Sequence, residues 1–125
     1  MAFSPQALQT IRDFAANLGL PAAPAADGSY SFVFQHSGTL TLTSSADGMR
    51  TLVSLRARPH RLDSETEERL MLLAGPDITT ERFLSAGLTR DNEIMVAVGV
   101  EEAELSVPTL ETCIRQLVAA RSAIP

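Results

Sequence analysis

Catalysis or metal binding in this chain would have to rest on a few side chains. His60 stands just upstream of Asp63 and Glu67. If that stretch is helical, the four-residue spacing puts both carboxylates on one face beside the imidazole, a set that could hold a metal or move a proton. Acidic residues also open helices simply because they cap them and favour the positive end of the helix dipole, and no other group converges here, so capping is the expected role. His36 falls between Gln35 and Ser37-Gly38, a turn composition in which a solvated imidazole is expected. Cys113 lies three residues after Leu110 and four before Leu117, on the apolar stripe of a helix. A reactive thiolate would want exposure and nearby cations, so a small buried side chain is expected instead. Arg50, Arg56, Arg58 and Arg61 form the one basic cluster, and the first three share the parity of a strand face. No aromatic residue interleaves with them and the net charge is −5, so RNA is not the expected partner. Pairing with Glu65, Glu67 and Glu68, or with an acidic stretch of a protein partner, is.

The rest of the chain narrows the chemistry further. All ten cations are arginine and there is no lysine, which removes phosphate-loop lysines, Schiff bases and lysine general bases. No nucleophile elbow, dinucleotide fingerprint or paired zinc-ligand motif occurs, and one cysteine permits neither an intrachain disulfide nor a multi-cysteine metal site. At 125 residues, 45% of them apolar, residues 1–125 are expected to form a single domain with a sizeable core. No apolar run reaches the roughly 18 to 20 residues of a membrane span, and the basic-then-apolar layout of a signal peptide is missing. The expectation is a cytoplasmic protein with no metal or other cofactor, no nucleic acid and no membrane among its partners.

Periodicity supplies the elements that would position these groups. Ser4 and Pro5 open a helix whose Leu8, Ile11, Phe14, Ala15 and Leu18 make one stripe, closed by Gly19. After a proline- and alanine-rich loop from Pro21 to Gly28, Tyr30, Phe32 and Phe34 alternate with Ser31, Val33 and Gln35. Leu40 and Leu42 follow past a turn at His36–Gly38, and Met49, Thr51, Val53, Leu55 and Ala57 follow past Asp47-Gly48. Three such strands joined by short turns read as an antiparallel meander. Ser64 with Glu67 reads as a capping box opening a second helix that runs to Gly75-Pro76. Ile78 to Arg90 fits a short helix or a strand, and a hairpin with Phe83 to Thr89 as its first strand is preferred. Ile94, Val96, Val98 and Val100 form the next strand, and a last helix starts near Ser106-Pro108 with Leu110, Ile114, Leu117 and Val118 inward and ends by Arg121. Helix, three-stranded antiparallel meander, helix, two strands and helix give an α+β fold.

Two stretches carry more apolar surface than one core needs. Tyr30, Phe32 and Phe34 share a strand face that reads first as core, covered by the outer helices, with an exposed groove for a partner as the alternative. In the second helix Leu70, Met71, Leu72, Leu73 and Ala74 run around the whole circumference, so an interface is expected there, supplied by a second copy of the same helix.

As a whole, Leu8 to Val118 resembles the class I type III secretion chaperones, the Tir chaperone family. The resemblance rests on the first helix closing in Leu18-Gly19-Leu20-Pro21, on Asp27-Gly28 before the first strand, and on the meander ending in Leu52-Val53 and Leu55. The leucine-rich second helix and the Asp91-Asn92-Glu93 turn into a strand and final helix complete it. One departure is Gly75, where such chaperones commonly carry a polar residue. The resemblance implies a homodimer that holds the N-terminal segment of a secreted effector extended and competent for secretion, with no catalytic activity. It assigns dimerisation to Leu70, Met71 and Leu73, and effector binding to Ile11, Phe14, Phe32, Phe34, Leu40, Leu42 and Leu52. A binding module of the YbjN type with another client, and a small ligand-binding α+β domain with a closed cavity, are the alternatives.

Overall fold

The computed structural model describes residues 3–76 and 82–124. Helix α1 spans Pro5–Leu18. The Ser4 hydroxyl accepts the Ala7 amide at 3.1 Å, and Gly19, at φ 70°, takes the left-handed turn that returns two amides to the last carbonyls. Strands β1 (Tyr30–Phe34), β2 (Gly38–Ser44) and β3 (Arg50–Ala57) form the expected meander. Helix α2 (Ser64–Leu73), a two-residue strand β4 (Gly75–Pro76), strands β5 (Phe83–Leu88) and β6 (Ile94–Glu101), and helix α3 (Val107–Ser122) complete the chain. The six strands make one sheet in the order β1-β2-β3-β6-β5-β4, with every neighbouring pair antiparallel. The α+β architecture therefore stands, with the hairpin β5-β6 joined to the meander through β3 rather than standing beside it.

Strand parity divides the sheet into two faces. In the inner face the register lines up Phe32, Leu40, Leu55 and Val96 in one row, and Tyr30, Leu42, Val53 and Val98 in the next. Helices α1 and α3 lie on these rows: Ile11 and Phe14 from α1, and Leu110, Cys113 and Leu117 from α3, are buried with them in one cluster. The Phe14 and Phe32 rings meet edge to face, with centroids 5.7 Å apart at 81°. A smaller cluster sits at the end of the same face, where Leu70 of α2 packs with Ala57, Ile94 and Ile124. Among the described residues the outer face carries no helix. Its rows are Val33, Thr39, Arg56, Met95 and Gly87, then Ser31, Thr41, Ser54, Ala97 and Ser85, the second of them built of short side chains throughout.

Two local expectations are corrected, and the preferred reading of a third stretch stands. The residue capping α2 is Asp63, not Ser64: Asp63 is extended (φ −124°) and accepts the Thr66 amide at 2.9 Å, whereas Ser64 is already helical and Glu67 is exposed. The same helix stops at Leu73, because Gly75 and Pro76 cannot continue it; they pair instead with Leu84 and Phe83 at the sheet edge, where a proline is tolerated. Of the ambiguous Ile78–Arg90 stretch, residues 78–81 lie outside the described residues, and Phe83–Leu88 is the strand of a hairpin rather than a helix.

Candidate interaction surfaces

The chemistry-bearing side chains are dispersed by the fold. Among the described residues no group of three histidine, cysteine or carboxylate side chains is placed to hold a metal ion. His36 and His60 are both exposed. Asp63 is spent on capping α2 and on an ion pair with Arg61 at 3.2 Å. Cys113 is fully buried on the inward stripe of α3, and desolvation pushes its thiol up, away from the reactive thiolate.

The basic cluster is dismantled in the same way, though by other partners than expected. Arg50 faces Glu101 at 4.0 Å and Arg56 faces Glu93 at 3.6 Å, both across the β3–β6 pair, while Arg58 donates to the Asp91 carbonyl at 3.4 Å. Glu65 pairs with Arg69 at 2.9 Å, one turn along its own helix, and Glu67 and Glu68 make no ion pair among the described residues. Strand register decided this, because a carboxylate on the adjacent strand is nearer to an outward arginine than one on a helix behind the sheet.

Three exposed aspartates are held below the usual carboxylate range by hydrogen bonds to the charged form. Asp27 owes this first to the Ser29 hydroxyl, Asp47 to the Ser45 hydroxyl, and Asp63 to the Thr66 amide. Because their folded values lie below the unfolded one, the stability they contribute is complete above about pH 4 and is lost as the pH falls through the lowered values. The thermal midpoint is expected to drop below about pH 4, and Asp63→Asn, which keeps a capping oxygen but cannot titrate, to make that drop shallower in a calorimetric pH series.

The apolar residues assigned to partners divide sharply. Ile11, Phe14, Phe32, Leu40 and Leu42, which the resemblance assigns to effector binding, are all buried in the main core of the single chain. The cause is that α1 and α3 close over the inner face completely. Phe34 is half-buried at the margin of that core, and Leu52 is exposed on the outer face. In α2, Leu70 is buried against Ala57 and Ile94 and is likewise removed from the outer seam. Leu73 is half-buried, while Met71 and the unassigned Leu72 are 77% and 78% exposed. The all-round apolar run thus meets its own core on one side and solvent on the other.

Two further features went unread in the sequence. Val33 is 75% exposed on β1, and β1 is an edge strand. Its outer side is bridged only at Tyr30, by Pro24, which leaves Ser31 to Phe34 without a neighbouring strand among the described residues. On the outer face, an open groove of about 440 Å³ is lined by Thr43, Arg50, Leu52, Phe83, Ser85 and Gly99. An apolar residue at a solvent parity, Val33 among Ser31, Thr39 and Thr41, was the available signal for the first; Phe83 in the weakest strand was the signal for the second.

No curated protein matches the sequence closely. Solved structures match its fold across nearly the whole chain. In the HopA1-SchA chaperone-effector complex the matching chain is 19% identical, with TM-score 0.75 over 95% of this chain and 92% of that one. The ExsC-ExsE complex gives 17% identity and TM-score 0.74 over 97% and 92%. The Yersinia pestis type III secretion chaperone SycH, in complex with a stable fragment of YscM2, gives 15% and 0.68 over 95% and 99%. At such identities the likeness is one of fold. Sequence adds the family: residues 8–124 match the family model of the type III secretory system chaperone SycN, and the chain belongs to that family.

Proposed function

We propose that this chaperone works as a homodimer that holds the N-terminal segment of a secreted effector extended, and that the segment adds to the free edge of β1. The observation that carries this is the edge of Ser31–Phe34 away from β2, which meets no second strand among the described residues, with Val33 standing exposed upon it. An extended client gains main-chain hydrogen bonds along such an edge, and its alternate side chains reach the two faces: Val33 on the outer one, half-buried Phe34 with Leu8 and Leu20 at the margin of the core on the inner one. Nothing in this mode needs a catalytic group or a cofactor. It also suits the cytoplasm, where a client is met before it folds. Support for the second copy comes from α2, whose exposed Met71 and Leu72 are the surplus a partner surface would cover.

Coexpression with N-terminal segments of candidate effectors tests the edge. Val33→Glu keeps the fold, because the side chain is exposed, and puts a charge where a strand must dock. Copurified client is expected to fall at least tenfold with the circular dichroism spectrum unchanged. Undiminished capture by a folded Val33→Glu would remove the edge from the account.

A further inference from the structure

We infer that residues 20–25 are an unzipped strand of the chain's own, and that Pro21 is the positioning residue that keeps this arm off β1 and leaves the edge at Val33 to a client. The inference rests on the reading of that edge as the client's seat and names what competes for it. The arm leaves α1 and meets the start of β1 through a tight turn. The Gly28 amide donates to the Ala25 carbonyl at 2.9 Å and the Ala25 amide to the Ser29 carbonyl at 2.8 Å, with Gly28 in the left-handed region at φ 86°. The Asp27 carboxylate fastens the turn by accepting the Ser29 amide at 3.0 Å and the Ser29 hydroxyl at 2.6 Å. Pro24 then faces Tyr30 in an antiparallel bridge, and at the far end the Leu20 amide is tied to the Ala15 carbonyl at 3.0 Å. Between these ties the arm alternates as a strand does: Leu20 and Ala22 are half-buried against the main core, while Pro21 and Ala23 are exposed. Continuing the Pro24–Tyr30 register would set Ala22 opposite Phe32 and Pro21 opposite Val33, yet the bridge is isolated.

Parity supplies the reason. The Ser29 carbonyl points at the arm, and alternate residues of an extended strand present their main-chain groups to the same side. Ser31 and Val33 therefore face the arm, while Tyr30, Phe32 and Phe34 face β2. The residue due to donate to the Val33 carbonyl is Pro21, which has no N–H, and a proline nitrogen turned into a ladder stops the pairing. Pro24 stands at the opposite parity. Its nitrogen is turned away from β1, where it costs the bridge nothing and denies a donor to any strand that would stack on the arm. One proline thus permits the bridge at Tyr30 and the other ends it before Val33. An incoming client with any residue but proline beside Val33 can make both of the bonds the arm forgoes.

Supplying the missing donor gives the test. Pro21 is exposed, so Pro21→Val leaves the core packing alone, adds an N–H and favours extended backbone. Amide exchange is followed by NMR in the chaperone without client, where the wild-type Val33 amide is expected to exchange freely beside a protected Phe32. In Pro21→Val it is expected to slow about tenfold or more. Capture of coexpressed N-terminal effector segments is expected to fall about tenfold, because the arm then holds the edge. Pro24→Val, whose new N–H faces away from β1, is expected to leave Val33 exchange as it was. Unchanged exchange in a folded Pro21→Val, or a wild-type Val33 already as slow as Phe32, overturns the inference whatever the client does. Equal slowing in Pro24→Val overturns it too. Slow exchange with undiminished capture overturns the edge as the client's seat, and the competition with it, while the arm's pairing stands. Should Pro21→Val fail to fold, Pro21→Ala adds the same donor with the smallest side chain and is held to the same outcomes.

Discussion

Phe14→Ala will cost about 3–5 kcal/mol of stability, a large share of the roughly 5–15 kcal/mol that holds a domain together. Phe14 is 2% exposed, and it sits between α1 and the sheet against Phe32, edge to face at 5.7 Å. Truncation removes the burial of the ring, the aromatic pair, worth about 0.5–1.5 kcal/mol beyond area, and leaves a hole that α1, tied at both ends by Ser4 and Gly19, cannot close by moving. Urea unfolding followed by circular dichroism should show the midpoint falling with the slope unchanged. The same variant will lose its client, and the loss will track the unfolded fraction. Val33→Glu will lose its client while folded. That difference separates a residue that builds the edge from one that lies on it. A wild-type midpoint for Phe14→Ala would mean the helix does not cover the sheet where the structure puts it.

Much of this fold was legible because periodicity and caps agree with tertiary burial. The stripe Leu8, Ile11, Phe14 and Ala15, bounded by Ser4-Pro5 and Gly19, gave α1 to the residue, and alternation gave the three strands of the meander. Taken alone, the parity of Tyr30 and Phe32 read as core, and that reading stands. The resemblance assigns Phe32, Leu40 and Leu42 to a client while all three lie buried here, because resemblance carries residue types and not the burial of this particular chain. What stayed illegible depends on neighbours distant in sequence. Which carboxylate an arginine meets follows from the β3–β6 register. Which residues of the run Leu70–Leu73 turn inward follows from where Ala57, Ile94 and Ile124 converge. The open groove is a product of topology: Phe83, Leu52 and Gly99 come from three strands and share a surface only because the hairpin joins the meander at β3.

Gly38→Ala is the second large effect, and it acts on the backbone. Gly38 opens β2 at φ 120°, a conformation that side chains rarely adopt, and an added Cβ would lie 2.2 Å from the Arg56 carbonyl oxygen and 2.9 Å from the Ala57 Cβ. The obstacle is main chain, and it is fixed from two sides, by the pairing of Arg56 with Thr39 on β2 and with Met95 on β6. No rotamer relieves it. The backbone conformation alone costs about 1–3 kcal/mol, and the overlap adds to that by forcing the start of β2 away from β3. Among the described residues strand β1 has no other neighbour in the sheet, so it must follow β2. Gly38→Ala should therefore lower the urea midpoint markedly and speed amide exchange at Tyr30–Phe34 before it does so in β6. It should also weaken client capture, although Gly38 itself lies at the hairpin turn and not along the free edge. Gly87→Ala is the control, an ordinary strand glycine whose added Cβ meets nothing within 4 Å, and its effect should stay within about 0.5 kcal/mol. Equal midpoints for the two variants would show that β2 and β3 approach less closely at Gly38 than the structure has them, and the edge of β1 would lose its fixed support.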